Sequence, residues 1–205
     1  MEVTFINPGV DYTIQSIMRF QAEGEAEFWS EPLYHFYPQL DRTFAASLPV
    51  AERRDYIEHT MRTVYAELEN TINEKVILYS HHWNACKSQI TAALSEAFGI
   101  DCTGLFNDLR CNLSLNPIEP RFLKEHCYDT FYLNSAKGAI GGGIHEIIHF
   151  VWFYVWNQFF GDSYNEYERP SLKWILSEMV VESVMRDERL SSINPYFPRE
   201  NGGCV

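Results

Sequence analysis

The chain has 205 residues, 46% of them hydrophobic and 21% charged, a balance that excludes a disordered or fibrous protein and suits one globular domain. A chain of this length buries roughly 70% of the surface its unfolded form exposes, so a core forms without metal or disulfide staples and a bound metal is expected to serve function first. Sixteen Lys and Arg against 28 Asp and Glu leave a formal net charge of -12, which repels phosphate backbones and anionic lipid heads, so no nucleic-acid or membrane partner is expected.

The opening Met1-Glu2-Val3-Thr4 lacks the basic start and apolar stretch of a secretory leader, and none is expected. Residues 10–98 read as mainly helical, with Ile57, Met61, Val64, Tyr65 and Leu68 recurring every three or four positions. Ser47, two residues before Pro49, is expected to cap that long helix, and Gly99 to stop a later helix over 85–98. After Gly104 the texture changes. Cys111, Leu113 and Leu115 alternate with Asn112 and Ser114 until Asn116-Pro117 breaks the run, the pattern of a half-buried strand. A second short strand is expected over 128–133. The glycine-rich stretch 138–143 is expected to turn the backbone tightly into a strongly apolar helix over 144–160. A polar, Tyr-rich loop then covers 161–170, and Ser171 opens a last helix to about residue 190.

The whole is an α+β chain forming one domain over 1–205: a mainly helical part over 1–100, a small sheet over 105–135, and two C-terminal helices over 144–190. The most apolar run, 147–156, is too short to cross a bilayer and contains His149. The five cysteines, Cys86, Cys102, Cys111, Cys127 and Cys204, form no C-x-x-C pair and read as reduced core thiols of a cytoplasmic protein. The glycine stretch lacks the Lys-Ser/Thr ending of a phosphate loop, and His81-His82 has no acidic or thiol group at ligand spacing, so neither is expected to bind a ligand.

The informative segment is His145-Glu146-Ile147-Ile148-His149, an H-E-x-x-H on an expected helix. Residues four apart sit one turn above each other, so the two imidazoles project from one face and can hold a single divalent cation. Glu146, one step round the helix, can take a proton from a water on the open side of that cation. The surrounding Ile, Val, Phe and Trp residues place this helix in the interior, where polar side chains need partners. A catalytic zinc has three protein ligands, and the metzincin continuation is excluded because Trp152 and Val155 stand where it needs Gly and His. On the last helix Glu178 and Glu182 share a face flanked by Trp174, Ile175, Met179 and Met185. Glu178 is expected as the third ligand, with Glu182 orienting a ligand histidine through its second ring nitrogen. An ordinary buried ion pair with an Arg such as Arg169 or Arg186 is the competing structural reading, and Asp162, Glu166 and Glu168 are further ligand candidates.

With these residues the chain resembles the gluzincin branch of the zincin-like metallopeptidases, in which H-E-x-x-H is completed by a Glu on a later helix, over about 145–182. The resemblance implies a zincin-like fold, mainly helical with a small β-sheet preceding the H-E-x-x-H helix. It implies a Zn2+ cofactor on His145, His149 and Glu178, Glu146 as general base and proton shuttle, and Glu182 where the family often has Asp. Ser177 stands where the family has Asn before the ligand Glu. The strand over 128–133 would border the cleft and bind a peptide or protein substrate by strand addition. Tyr164, Tyr167, Tyr196 and His126 are candidate donors to a tetrahedral oxyanion. The expected activity is zinc-dependent peptide hydrolysis. The alternative is a non-catalytic regulatory or interaction protein retaining the metal site; a ferritin-like di-iron site lacks its second E-x-x-H, and a deformylase-like site would draw a ligand from Cys111 or Cys127.

Overall fold

A computed structural model describes residues 1–21, 27–161 and 171–194. In chain order the elements are β1 (Val3–Ile6), α1 (Val10–Arg19), α2 (Glu27–Phe36), α3 (Arg42–Ser47), α4 (Val50–Phe98), β2 (Leu109–Ser114), β3 (Arg121–Phe122), β4 (Cys127–Phe131), α5 (Ala136–Phe160), α6 (Leu172–Met185) and α7 (Glu188–Ser191). The architecture is mixed α+β, helices around a four-stranded sheet of order β1-β2-β4-β3. β1 pairs parallel to β2 and β2 parallel to β4, while β3 closes the outer side of β4 antiparallel. No described helix is long and apolar enough to cross a membrane.

The region expected to be mainly helical, 10–98, holds α1 to α4, and its second half is one uninterrupted helix, α4, of 49 residues, about 73 Å long at 1.5 Å per residue. No Gly or Pro interrupts it, and its buried stripe of Ile57, Met61, Val64, Ile72, Tyr79, Trp83, Ile90 and Leu94 gives it a continuous packed face. The separate helix expected over 85–98 is therefore its last turns, stopped as anticipated by Gly99 at φ 65. Ser47 does not open it: Ser47 ends α3, its hydroxyl donating to Phe44 O at 2.7 Å, and Pro49 occupies the N-cap.

The strand expected at 111–115 runs over Leu109–Ser114 and is buried on both faces, because it lies between two parallel neighbours with helices on either side. Phe5, Cys111 and Tyr128 stand in register on one face, Phe5 packing edge-on to Tyr79 of α4. On the other face Asp129 accepts hydrogen bonds from Tyr12 Oη (2.6 Å), Ser16 Oγ (2.7 Å) and Asn112 Nδ2 (3.1 Å). This network satisfies a buried carboxylate and ties α1 to the sheet. The strand expected over 128–133 is Cys127–Phe131, and it is interior to the sheet.

The glycine-rich stretch is not a turn. Ser135 caps α5, its hydroxyl accepting from Gly138 N at 3.0 Å, so the helix begins at Ala136 and carries all four glycines inside it. The helix thereby approaches its neighbours closely: a Cβ on Gly143 would stand 2.6 Å from Tyr128 Oη, and one on Gly141 1.7 Å from Asn194 Nδ2. Ala exceeds Gly in helix propensity by about 1 kcal/mol, yet Tyr128 is fully buried and has no room to yield. Gly143→Ala is expected to destabilise the protein by about 1–3 kcal/mol, measured as a lowered urea midpoint. An unchanged or raised midpoint would show that helix propensity dominates there.

The last helix also differs from its expected span. α6 stops at Met185, and Asp187, whose carboxylate accepts from Arg189 N at 2.9 Å, caps the separate turn α7.

Candidate metal centre

Two helix faces build the site. On α5 the four-residue spacing of His145 and His149 brings their Nε2 atoms to 3.2 Å from each other. On α6, whose start is fixed by Ser171 Oγ accepting from Trp174 N at 3.1 Å, Glu178 points at the same place. Glu178 Oε1 lies 3.3 Å from His149 Nε2, and Oε2 lies 3.6 Å from His145 Nε2. Among the described residues these three are the group able to hold a metal ion, with ligand atoms all within 4.8 Å of one another.

The donor set fits a divalent cation. Imidazole nitrogens and carboxylate oxygens about 2.0–2.1 Å from a common tetrahedral centre stand roughly 3.3 Å apart, close to the separations above. Two nitrogens and a carboxylate oxygen converging at such distances could hold a metal ion. His149 is suited to supply a neutral nitrogen, since burial, and then the nearby Arg121 charge, pushes its pKa well below the ordinary 6.5. Its Nδ1 is buried without a hydrogen-bond partner among the described residues.

Glu146 occupies the position beside the pair expected of it, with Oε1 3.9 Å from His145 Nε2 and a side chain only 12% exposed. Glu182 is elsewhere. Its carboxylate is 62% exposed and accepts from Arg186 Nη2 at 2.5 Å, so it does not orient a ligand histidine; the competing reading names the right partner, Arg186, but the pair is exposed rather than buried. On an α-helix a residue four positions on is rotated by about 40°, enough to carry Glu182 off the seam between α5 and α6.

The other sequence candidates are distributed as follows. His126 Nδ1 lies 2.8 Å from Asp108 Oδ2 and its ring packs edge-on to Phe106 and Phe150, which commits it to that cluster. Tyr164, Tyr167, Tyr196, Asp162, Glu166, Glu168, Arg169 and Cys204 lie outside the described residues. Cys111 and Cys127 are free, buried thiols of β2 and β4 and belong to no metal-holding group among the described residues. His81 and His82 sit on α4, and Cys86 Sγ donates to His82 O, in keeping with a structural role. Ser177, at the family's Asn position, is buried and donates to Trp174 O at 2.7 Å. β4, expected to accept a substrate strand, is occupied on both sides by β2 and β3, and that expectation is corrected: the outer strand is β3.

One residue of the site escaped the sequence. Arg121 on β3 places Nη1 3.8 Å from Glu146 Oε2 and 4.0 Å from Glu178 Oε1, with its side chain 10% exposed and its guanidinium over the Phe153 ring at 5.8 Å. Nothing in the periodicity around Glu119-Pro120-Arg121 ties it to residues 146 or 178; only pairing of a two-residue strand with β4 brings it there.

No family model, curated protein or solved structure matches the chain.

Proposed function

We infer that the protein is a zinc-dependent hydrolase, a metallopeptidase of gluzincin type with a zincin-like fold, acting on peptide or protein substrates in the cytoplasm. What carries the reading is the convergence of His145, His149 and Glu178 from two helices, with Glu146 beside them. His145, His149 and Glu178 would hold the zinc, which would supply Lewis acidity to the reaction when bound. Glu146, the one motif carboxylate not needed as a ligand, accepts the proton of the attacking water and delivers it to the leaving amine. Low exposure of Glu146 and His149 limits the access of bulk water to them. The free thiols Cys86, Cys102, Cys111 and Cys127 suit a reducing compartment.

The test compares chelator-stripped and zinc-reconstituted protein on a mixture of internally quenched peptides. Hydrolysis is expected only after reconstitution, with one zinc per chain by elemental analysis. One zinc per chain with no cleavage of any peptide would leave the non-catalytic metal-binding alternative in its place.

A further inference from the structure

Arg121 shares a carboxylate with the candidate metal. Its guanidinium lies 4.0 Å from Glu178 Oε1, the atom that also faces His149 Nε2 at 3.3 Å, and 3.8 Å from Glu146 Oε2. A guanidinium does not give up its proton at any ordinary pH, and this one is held over Phe153 with its side chain 10% exposed. Two cations therefore address one acidic pair, one of them built into β3 and the other arriving from solution.

We propose that Arg121 is the resident counter-cation of the metal-free site: it balances Glu146 and Glu178 until a divalent ion arrives, then yields Glu178 to it. The inference rests on the metal-centre reading above and deepens it by saying how the site is held ready and how its affinity is set. Without an ion, the guanidinium partly offsets two largely buried carboxylates, whose mutual repulsion works against the packing of α5 on α6 at their seam. With the ion in place the carboxylates have a stronger partner, and the fixed positive charge of Arg121 repels it at short range. Arg121 thus stabilises the empty site more than the loaded one, which lowers metal affinity by linkage. It is a positioning residue, acting through the two glutamates. The opposite arrangement, in which Arg121 merely orients Glu178 for the metal, makes the opposite prediction for affinity.

The experiment titrates zinc, by competition with a chromophoric chelator, into the metal-stripped full chain of the wild type, Arg121→Gln and Arg121→Lys. Arg121→Gln is expected to bind zinc roughly tenfold tighter than wild type, about 1.4 kcal/mol, and to show a larger zinc-induced rise in melting temperature. Arg121→Lys, which keeps the charge, is expected to stay within roughly threefold of wild type. Equal or weaker zinc binding by Arg121→Gln overturns the proposal while leaving the metal centre standing. Absence of zinc binding by the wild type overturns both. An Arg121→Gln chain that folds only when zinc is present supports the proposal. Should that chain fold in neither condition, the Lys variant decides, and a tenfold loss of affinity there overturns it.

Discussion

Glu146→Gln is expected to keep its zinc and lose hydrolysis by roughly 100- to 10,000-fold, the usual contribution of a positioned general base. The substitution keeps the side chain's volume and removes only its ability to accept and return a proton. Glu146 is not a member of the ligand group, so metal content measured by elemental analysis should match wild type. Its neighbour Arg121 loses the Glu146 carboxylate and retains Glu178 at 4.0 Å, so the fold should survive, as circular dichroism can verify. The split between an unchanged zinc stoichiometry and a collapsed kcat separates a chemical role from a structural one. Wild-type turnover in the variant would remove Glu146 from the chemistry and with it the hydrolytic mechanism.

Glu178→Ala is expected to be the most damaging change for metal affinity outside the histidines, and Glu182→Ala to be almost silent. Glu178 contributes the carboxylate that faces both Nε2 atoms, at 3.3 and 3.6 Å, and its removal leaves a pair of imidazoles that cannot complete a tetrahedral site. Affinity should fall by more than the roughly 10- to 100-fold typical of losing a residue that only supports a ligand. Glu182 meets Arg186 in solvent, and exposed pairs of this kind contribute little. Its removal should leave the zinc dissociation constant within roughly twofold and the melting temperature nearly unchanged. Comparable losses from both substitutions would mean that α6 is rotated in the loaded protein so that both carboxylates serve the ion.

How far the site could be read in advance differs residue by residue. His145, Glu146 and His149 are legible because their relation is local: a four-residue spacing on a helix converts directly into a shared face. Glu178 is legible at one remove, as a carboxylate on an apolar stripe that needs a buried partner. Glu182 satisfies the same rule and ends on the surface, because periodicity places two residues four apart on nearly the same meridian and only the seam with α5 distinguishes them. The glycines at 138 and 141–143 show the same limit. Local rules read them as a turn, whereas Tyr128 and Asn194, distant in sequence, turn them into points of close approach within α5.

From its residues alone this chain determines its mainly helical character from residue 10 to 98, a small sheet, an H-E-x-x-H face and a shortage of positive charge, since each follows from composition or from a period of two or 3.6 residues. The tertiary structure decides that β1, separated from β2 in sequence by the whole of α1 to α4, joins it, that β4 is walled in by a two-residue strand, and that this strand delivers Arg121 to the glutamates. It also decides which of two equivalent carboxylates turns inward. The reason is physical: backbone periodicity sets where a side chain points relative to its own axis, while the meeting of atoms from residues 121, 146, 149 and 178 depends on how separate axes pack, and no local spacing encodes that.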